Sequence, residues 1–198
     1  TVCLAGETDR LTASNTKPAE QNLRRCHSSN SQPLSADSTA ATGLKWASPA
    51  SSAFSGVYLS GTAQQSIAAT TETAVTWNAE VYDTDSYHDN STNNTRVTIP
   101  SGKSGYYEIS IKIQWQENAT GGHRTLYLIK NGTTYAHGGT SNTPNGTVGI
   151  GVDLVMTINL TAGDYLEAKV YQNSGGNLNI FKDTTYPASF FIVRYLGA

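Results

Sequence analysis

The sequence is poor in what helices and membrane spans require. It holds one Met, and no stretch sets Leu, Glu and Lys at helical spacing over three turns, which argues against a helical bundle. No apolar run approaches the roughly 20 residues that carry a helix across a bilayer, so no membrane insertion is expected. Charge is also scarce, at 14% of residues with a net of −2. A nucleic-acid partner therefore has no electrostatic support. Cysteine is limited to Cys3 and Cys26. Spacing alone leaves these two open as a bridge or as unrelated thiols, and the adjacent Cys26-His27 is too little for a zinc site. The chain opens on Thr1 with no charged-then-apolar leader, which reads as a processed product or a piece of a longer chain.

What is plentiful points the other way. The 18 glycines, with abundant Thr, Ser and Asn, suit short strands joined by many turns. Residues 1–52 carry few large apolar side chains; Leu4, Leu11, Leu23, Leu34, Leu44 and Trp46 are scattered without a period. Such a segment buries too little to offset its ordering entropy. It reads as a linker, or as a fibre shaft that takes its partners from other chains.

From residue 53 the pattern becomes period-two alternation, the mark of half-buried strands. Tyr107, Ile109, Ile111, Ile113 and Trp115 form the cleanest stripe, opposite Glu108, Ser110, Lys112, Gln114 and Gln116. Val75, Trp77, Ala79 and Val81 form another, as do Val148, Ile150, Val152, Leu154, Met156 and Ile158. Leu166, Ala168 and Val170 form a fourth. Turn signals separate the runs: Pro100 to Gly105, Asn131-Gly132, Ala162-Gly163-Asp164 and Ser174 to Asn177. Asn-Gly is a strong two-residue hairpin signal. The expected fold is an all-β sandwich or barrel.

The last expected strand, Ser189 to Leu196, is apolar on both faces. Phe190, Ile192 and Leu196 fall on one, Phe191, Val193 and Tyr195 on the other. A strand of that kind needs cover on both sides, from a loop or from another subunit. Phe54, Val57, Tyr58 and Leu59 are two-sided in the same way. The sharper expectation is a subunit interface containing Phe54, Tyr58, Phe190, Phe191, Val193 and Tyr195.

The order of these pieces resembles the complement C1q-like branch of the tumour necrosis factor superfamily. The likeness runs from Ala53-Phe54-Ser55-Gly56-Val57-Tyr58-Leu59 through Val75 to Asp89 and Thr95 to Pro100. It continues with Gly105-Tyr106-Tyr107-Glu108-Ile109, Leu126 to Gly132, Leu160 to Leu166, and Ser189-Phe190-Phe191 to Leu196. The family's core cysteines are missing. Leu34 to Ala47 resembles a segment found before C-terminal heads in phage fibre and virion proteins. The resemblance implies an antiparallel jelly-roll sandwich of about ten strands over residues 53–198, preceded by an extended N-terminal segment. It also implies a homotrimer that binds without catalysis: a bacteriophage fibre head on the virion surface, contacting other virion proteins and a host-cell glycan or protein. The alternatives are a capsid or tail decoration protein without a receptor, and a secreted cellular C1q-like module.

Nothing marks catalysis. His27, His88, His123 and His137 lack triad or metal-ligand spacing and read as solvated loop residues. No Gly-x-Ser-x-Gly elbow occurs. No cofactor is expected. Asp83, Asp85 and Asp89 are the densest acidic cluster and the weak candidates for calcium, against the plainer reading of turn-capping aspartates. Tyr82, Tyr87, Trp115 and Tyr135 are weighed as sugar-stacking rings, although strand aromatics are usually core or interface. Asn-x-Ser/Thr triplets beginning at Asn90, Asn93, Asn118, Asn131, Asn145 and Asn159 are the chance product of an Asn- and Thr-rich chain.

Overall fold

The computed structural model describes residues 34–36, 39, 44–46, 53–118, 120, 122–143, 149–186 and 188–198. The chain divides into two units, Thr1–Ser52 and Ala53–Ala198. In the first, β1 (Leu34–Ala36) pairs antiparallel with β2 (Leu44–Trp46), Leu34 opposite Trp46. Cys3, Cys26 and His27 lie outside the described residues, as do Asn145 and Val148 further along.

The second unit is an all-β, antiparallel jelly roll, and no helix occurs among the described residues. Its strands are β3 (Gly56–Ser60), β4 (Gln65–Ile67), β5 (Thr73–Ala74), β6 (Ala79–Asp83), β7 (Arg96–Thr98) and β8 (Gly105–Trp115). They continue as β9 (Gly122–Lys130), β10 (Thr133–Thr143), β11 (Gly151–Leu160), β12 (Tyr165–Gln172), β13 (Leu178–Phe181) and β14 (Phe190–Gly197). One sheet runs β11-β8-β14-β3-β6, with β13 meeting the end of β8 and β4 lying outside β13. The other runs β10-β9-β12, and both β7 and β5 pair with β12. Short pieces such as β5 and β7, each covering part of β12, raise the number of strands above the expected ten or so.

The long stripes fold as their alternation dictates. Tyr107, Ile109, Ile111, Ile113 and Trp115 all face the core. They meet Leu126 and Leu128 of β9, Leu166, Ala168 and Val170 of β12, and Val152, Leu154 and Ile158 of β11. Each buried aliphatic contributes about 1.5–3 kcal/mol relative to exposure, so the strands are held chiefly by this shared core. Asn131 and Gly132 adopt φ of 51° and 82° between the paired Lys130 and Thr133. A type I′ hairpin requires positive φ at both central residues, and Asn and Gly tolerate it best. Asp164 fixes this turn to its neighbour: its carboxylate accepts from Asn131 Nδ2 at 2.7 Å and from Thr161 N at 2.9 Å.

Three expectations fail for identifiable reasons. Val81 is 57% exposed, because the β3·β6 register slips between Tyr58↔Tyr82 and Leu59↔Glu80 and places Val81 in the bulge. His88 is not a solvated residue. Its Nδ1 lies 2.7 Å from Arg96 O and its Nε2 3.1 Å from Trp77 O. His123 and His137 are exposed but sit on β9 and β10 rather than on loops. Arg124 gave no signal in the sequence. It is buried beside Trp115, its guanidinium carbon 5.9 Å from the ring, with a hydrogen bond to His123 O at 3.1 Å.

Candidate subunit interface

The outer face of the β11-β8-β14-β3-β6 sheet is built from strand positions that alternate with the core stripe. β14 pairs with β8 so that Phe191 lies opposite Ile111 and Val193 opposite Ile109, both pairs pointing inward. Phe190, Ile192 and Arg194 therefore point outward, beside Lys112, Ser110 and Glu108. On the other edge of β14, Ile192 lies opposite Tyr58 of β3, and Tyr58 lies opposite Tyr82 of β6. One outward row thus reads Tyr82, Tyr58, Ile192, Ser110, Val155 across five strands.

The aromatic members touch in sequence. Phe54 meets Tyr82 at 5.2 Å between ring centroids, Tyr82 meets Tyr58 at 5.9 Å, and Tyr58 meets Phe190 at 5.8 Å. All three contacts are edge-to-face, the arrangement the ring quadrupoles favour. Burial, and then the neighbouring Tyr82 phenol, push the Tyr58 hydroxyl above its ordinary titration range. The Tyr82 hydroxyl is itself out of reach of water and, among the described residues, faces the Arg194 guanidinium, whose pKa it raises. Phe54, at one end of the stacked rings, remains 55% exposed, and Leu196, beyond Arg194 on β14, is 57% exposed. Arg194 and Glu108 lie 3.8 Å apart.

The six residues expected at an interface therefore separate. Phe54, Tyr58 and Phe190 lie on the outer face. Phe191 and Val193 are 0% exposed inside the subunit's own sandwich, where Phe191 lies 6.2 Å from Trp77. A side chain with no free surface has nothing to offer a second subunit, so those two leave the set. Tyr195 packs its ring on Tyr107 at 5.2 Å and donates its hydroxyl to Ser104 O, at the border of the core. Tyr82 and Ile192 were missed as interface candidates. Alternation already sets Tyr82 on the face opposite Val75, Trp77, Ala79 and Val81, so its outward facing was legible.

The three aspartates are not brought together. Asp83 accepts from the backbone N–H groups of Asp85, Tyr87 and His88. Asp85 accepts from Ser55 Oγ at 2.6 Å and Thr84 Oγ1 at 2.8 Å, with Lys103 Nζ at 3.4 Å. These hydroxyls, and to a smaller degree Lys103, hold its carboxyl below the usual range. Asp89 caps its own turn, and the Thr92 N–H with both donors of Ser91 hold it at about 2. Among the described residues no group of three or more His, Cys, Asp or Glu could hold a metal ion. Of the rings weighed for sugar stacking, Tyr87 and Trp115 are buried and Tyr135 is exposed.

This architecture is the TNF-like jelly roll. Among solved structures, murine APRIL at pH 5.0 superposes with a TM-score of 0.52 at 14% identity, over 72% of this chain and 99% of that one. Eiger TNF from S. frugiperda superposes with a TM-score of 0.50 at 14% identity, over 73% of this chain and 93% of that one. Likeness at that identity establishes the fold alone. No protein-family model and no curated protein sequence matches the chain.

Proposed function

We propose that the head assembles as a homotrimer through the aromatic half of this outer face, and that the trimer is the non-enzymatic attachment head of a bacteriophage fibre, carried on the virion surface. One observation carries the oligomer: Tyr58, Tyr82, Phe190, Ile192 and Leu196 occupy sheet positions where a solitary sandwich presents polar side chains to water, with Phe54 stacked on Tyr82 beside them. Contiguous exposed apolar surface of that kind marks an association site. Covering a large apolar side chain is worth about 1.5–3 kcal/mol, and three-fold repetition multiplies the gain. The three-fold order and the fibre setting rest on the resemblances in the sequence, which are analogies of fold and context. Repetition also suits attachment, because three weak contacts on one body bind with high avidity.

Sedimentation equilibrium and adhesion of labelled protein to candidate host cells test the two halves separately. Phe190→Asp is expected to give monomer or aggregate, and Tyr58→Asp the same. A monomeric parent protein, or a soluble heat-stable trimer in both variants, overturns the interface. A trimer that adheres to no candidate host favours a capsid or tail decoration role over attachment.

A further inference from the structure

A second feature lies away from the aromatic strip. The segment between β6 and β7 lies against β7 and borders an open cleft of about 380 Å³ lined by Ser86, Tyr87, His88, Asp89, Thr92, Asn93, Arg96 and Thr98. The sequence there, Ser86 to Thr95, contains no aliphatic side chain. The segment is nonetheless held firmly. Asp83 takes up three of its N–H groups, Thr98 N donates to Tyr87 O at 2.7 Å, and Arg96 N donates to Asn93 O at 2.9 Å. The His88 ring bridges it to Trp77 O and Arg96 O. Ser86 and Asn93, both on the cleft wall, sit at φ of 61° and 53°. Side-chain residues are held in that region only where the surroundings over-determine them, and such positions gather at ligand sites.

The wall keeps hydrogen-bonding capacity in reserve. All three hydrogen bonds to Asp89 end on Oδ1, leaving Oδ2 without a partner among the described residues. Arg96 stacks on the Tyr165 ring at 4.1 Å and reaches Glu167 only through Nε, at 3.4 Å. Its two terminal nitrogens have no hydrogen-bond partner among the described residues. Ser86, Thr92 and Thr98 add hydroxyls and Asn93 an amide. The volume is at the small end of the roughly 300–1,000 Å³ range of ligand sites. The lining is polar where such sites are usually apolar, so the fitting occupant is small and rich in hydroxyls. Asp89 is ionised at neutral pH, and Glu167 already offsets Arg96. That balance disfavours a second carboxylate.

We infer that this cleft binds one neutral sugar residue, with Asp89 Oδ2 accepting from its hydroxyls and the Arg96 terminal nitrogens donating to its oxygens. The inference deepens the attachment reading and rests on it for the source of the sugar, a host-surface glycan. Affinity per site is expected in the order of millimolar, raised by repetition on a trimer.

The full chain is to be probed by saturation-transfer NMR with glucose, galactose, mannose, rhamnose and N-acetylglucosamine, and with glucuronate as the acidic control. At least one neutral sugar is expected to bind, at least about ten-fold more weakly in Asp89→Asn and in Arg96→Gln. Asp89→Asn keeps the turn-capping oxygen, so an unchanged melting temperature separates loss of ligand from loss of fold. Binding by no neutral sugar, preference for glucuronate, or unaltered binding in Asp89→Asn overturns the inference. Host-cell adhesion that persists in variants unable to bind sugar overturns the role of this site in attachment and leaves attachment itself standing. Sugar binding here without adhesion to any host supports the site and removes attachment.

Discussion

β8 and β14 run side by side through the middle of one sheet and treat their two faces differently. Inward, both supply core: Ile109 and Ile111 from β8 meet Val193 and Phe191 from β14. Outward, β8 presents Glu108, Ser110 and Lys112 and, near its start, the half-exposed Tyr106, while β14 presents Phe190, Ile192, Arg194 and, near its end, Leu196. The shared inner face is what folding demands of any sandwich strand. The outer face of β8 is mostly polar, as suits a face turned to water in the isolated subunit. The outer face of β14 is more apolar than the subunit alone requires, and the proposed interface rests on that contrast.

Neighbouring substitutions on β14 test that contrast most sharply. Phe191→Ala is expected to cost about 3–5 kcal/mol, the range for emptying a buried aromatic site. The loss should appear in denaturant titration at every protein concentration. Phe190→Ala is expected instead to act through assembly, weakening the dependence of the melting temperature on protein concentration. Equal behaviour of the two variants would erase the distinction between the faces.

A smaller effect is expected from pH, and it has the same sign in two separate windows. Lys182 is buried and donates to Thr76 O at 2.7 Å and to Gln65 Oε1 and Thr76 Oγ1 at 3.2 Å each. Burial lowers its ammonium to about 8, whereas the unfolded chain keeps the proton to about 10.4. Between those values the unfolded state binds more protons, so stability rises with pH. Lys182→Met should abolish that rise in urea midpoints measured across the window. Asp164 acts in the same direction in the acid range. The Thr161 N–H is the largest influence holding it at about 2, with Asn131 and Lys130 adding to it. Its contribution is present above the unfolded value of about 3.9 and is lost as pH falls toward 2. Asp164→Asn should flatten that acid limb.

The smallest effect is expected on β11. Val155 is 69% exposed and lies opposite Ser110, at the polar end of the outward row. Val155→Ser should change stability by no more than about 0.5 kcal/mol and leave the sedimenting mass unaltered. A drop in mass would extend the interface across the whole sheet.

The β8 stripe and the Asn131-Gly132 turn were legible because each is decided locally, by alternation or by tolerance of positive φ. β14 was legible as doubly apolar, but which face turned inward was not. That choice is made by register against β3 and β8, which lie far away in sequence. Val81 was misread for the same reason, since a bulge is a relation between two strands. His88 and Arg124 could not be placed at all. Their surroundings are the carbonyls of Trp77 and Arg96 in one case and the ring of Trp115 in the other. The sugar cleft is likewise a product of chain return, made where the segment after β6 lies against β7.

The position of β14 between β3 and β8 also constrains the order in which the head can be completed. Of the described strands it emerges last from the ribosome, yet it fills the middle of its sheet. Until it arrives, β3 and β8 each lack the neighbour that covers one edge, and unpaired edges invite association with other chains. Final closure of the sheet must therefore wait for nearly the whole head to be synthesised, and such long-range pairing is slow. A head cut short before Phe190 would lack a central stave and leave two sticky margins exposed.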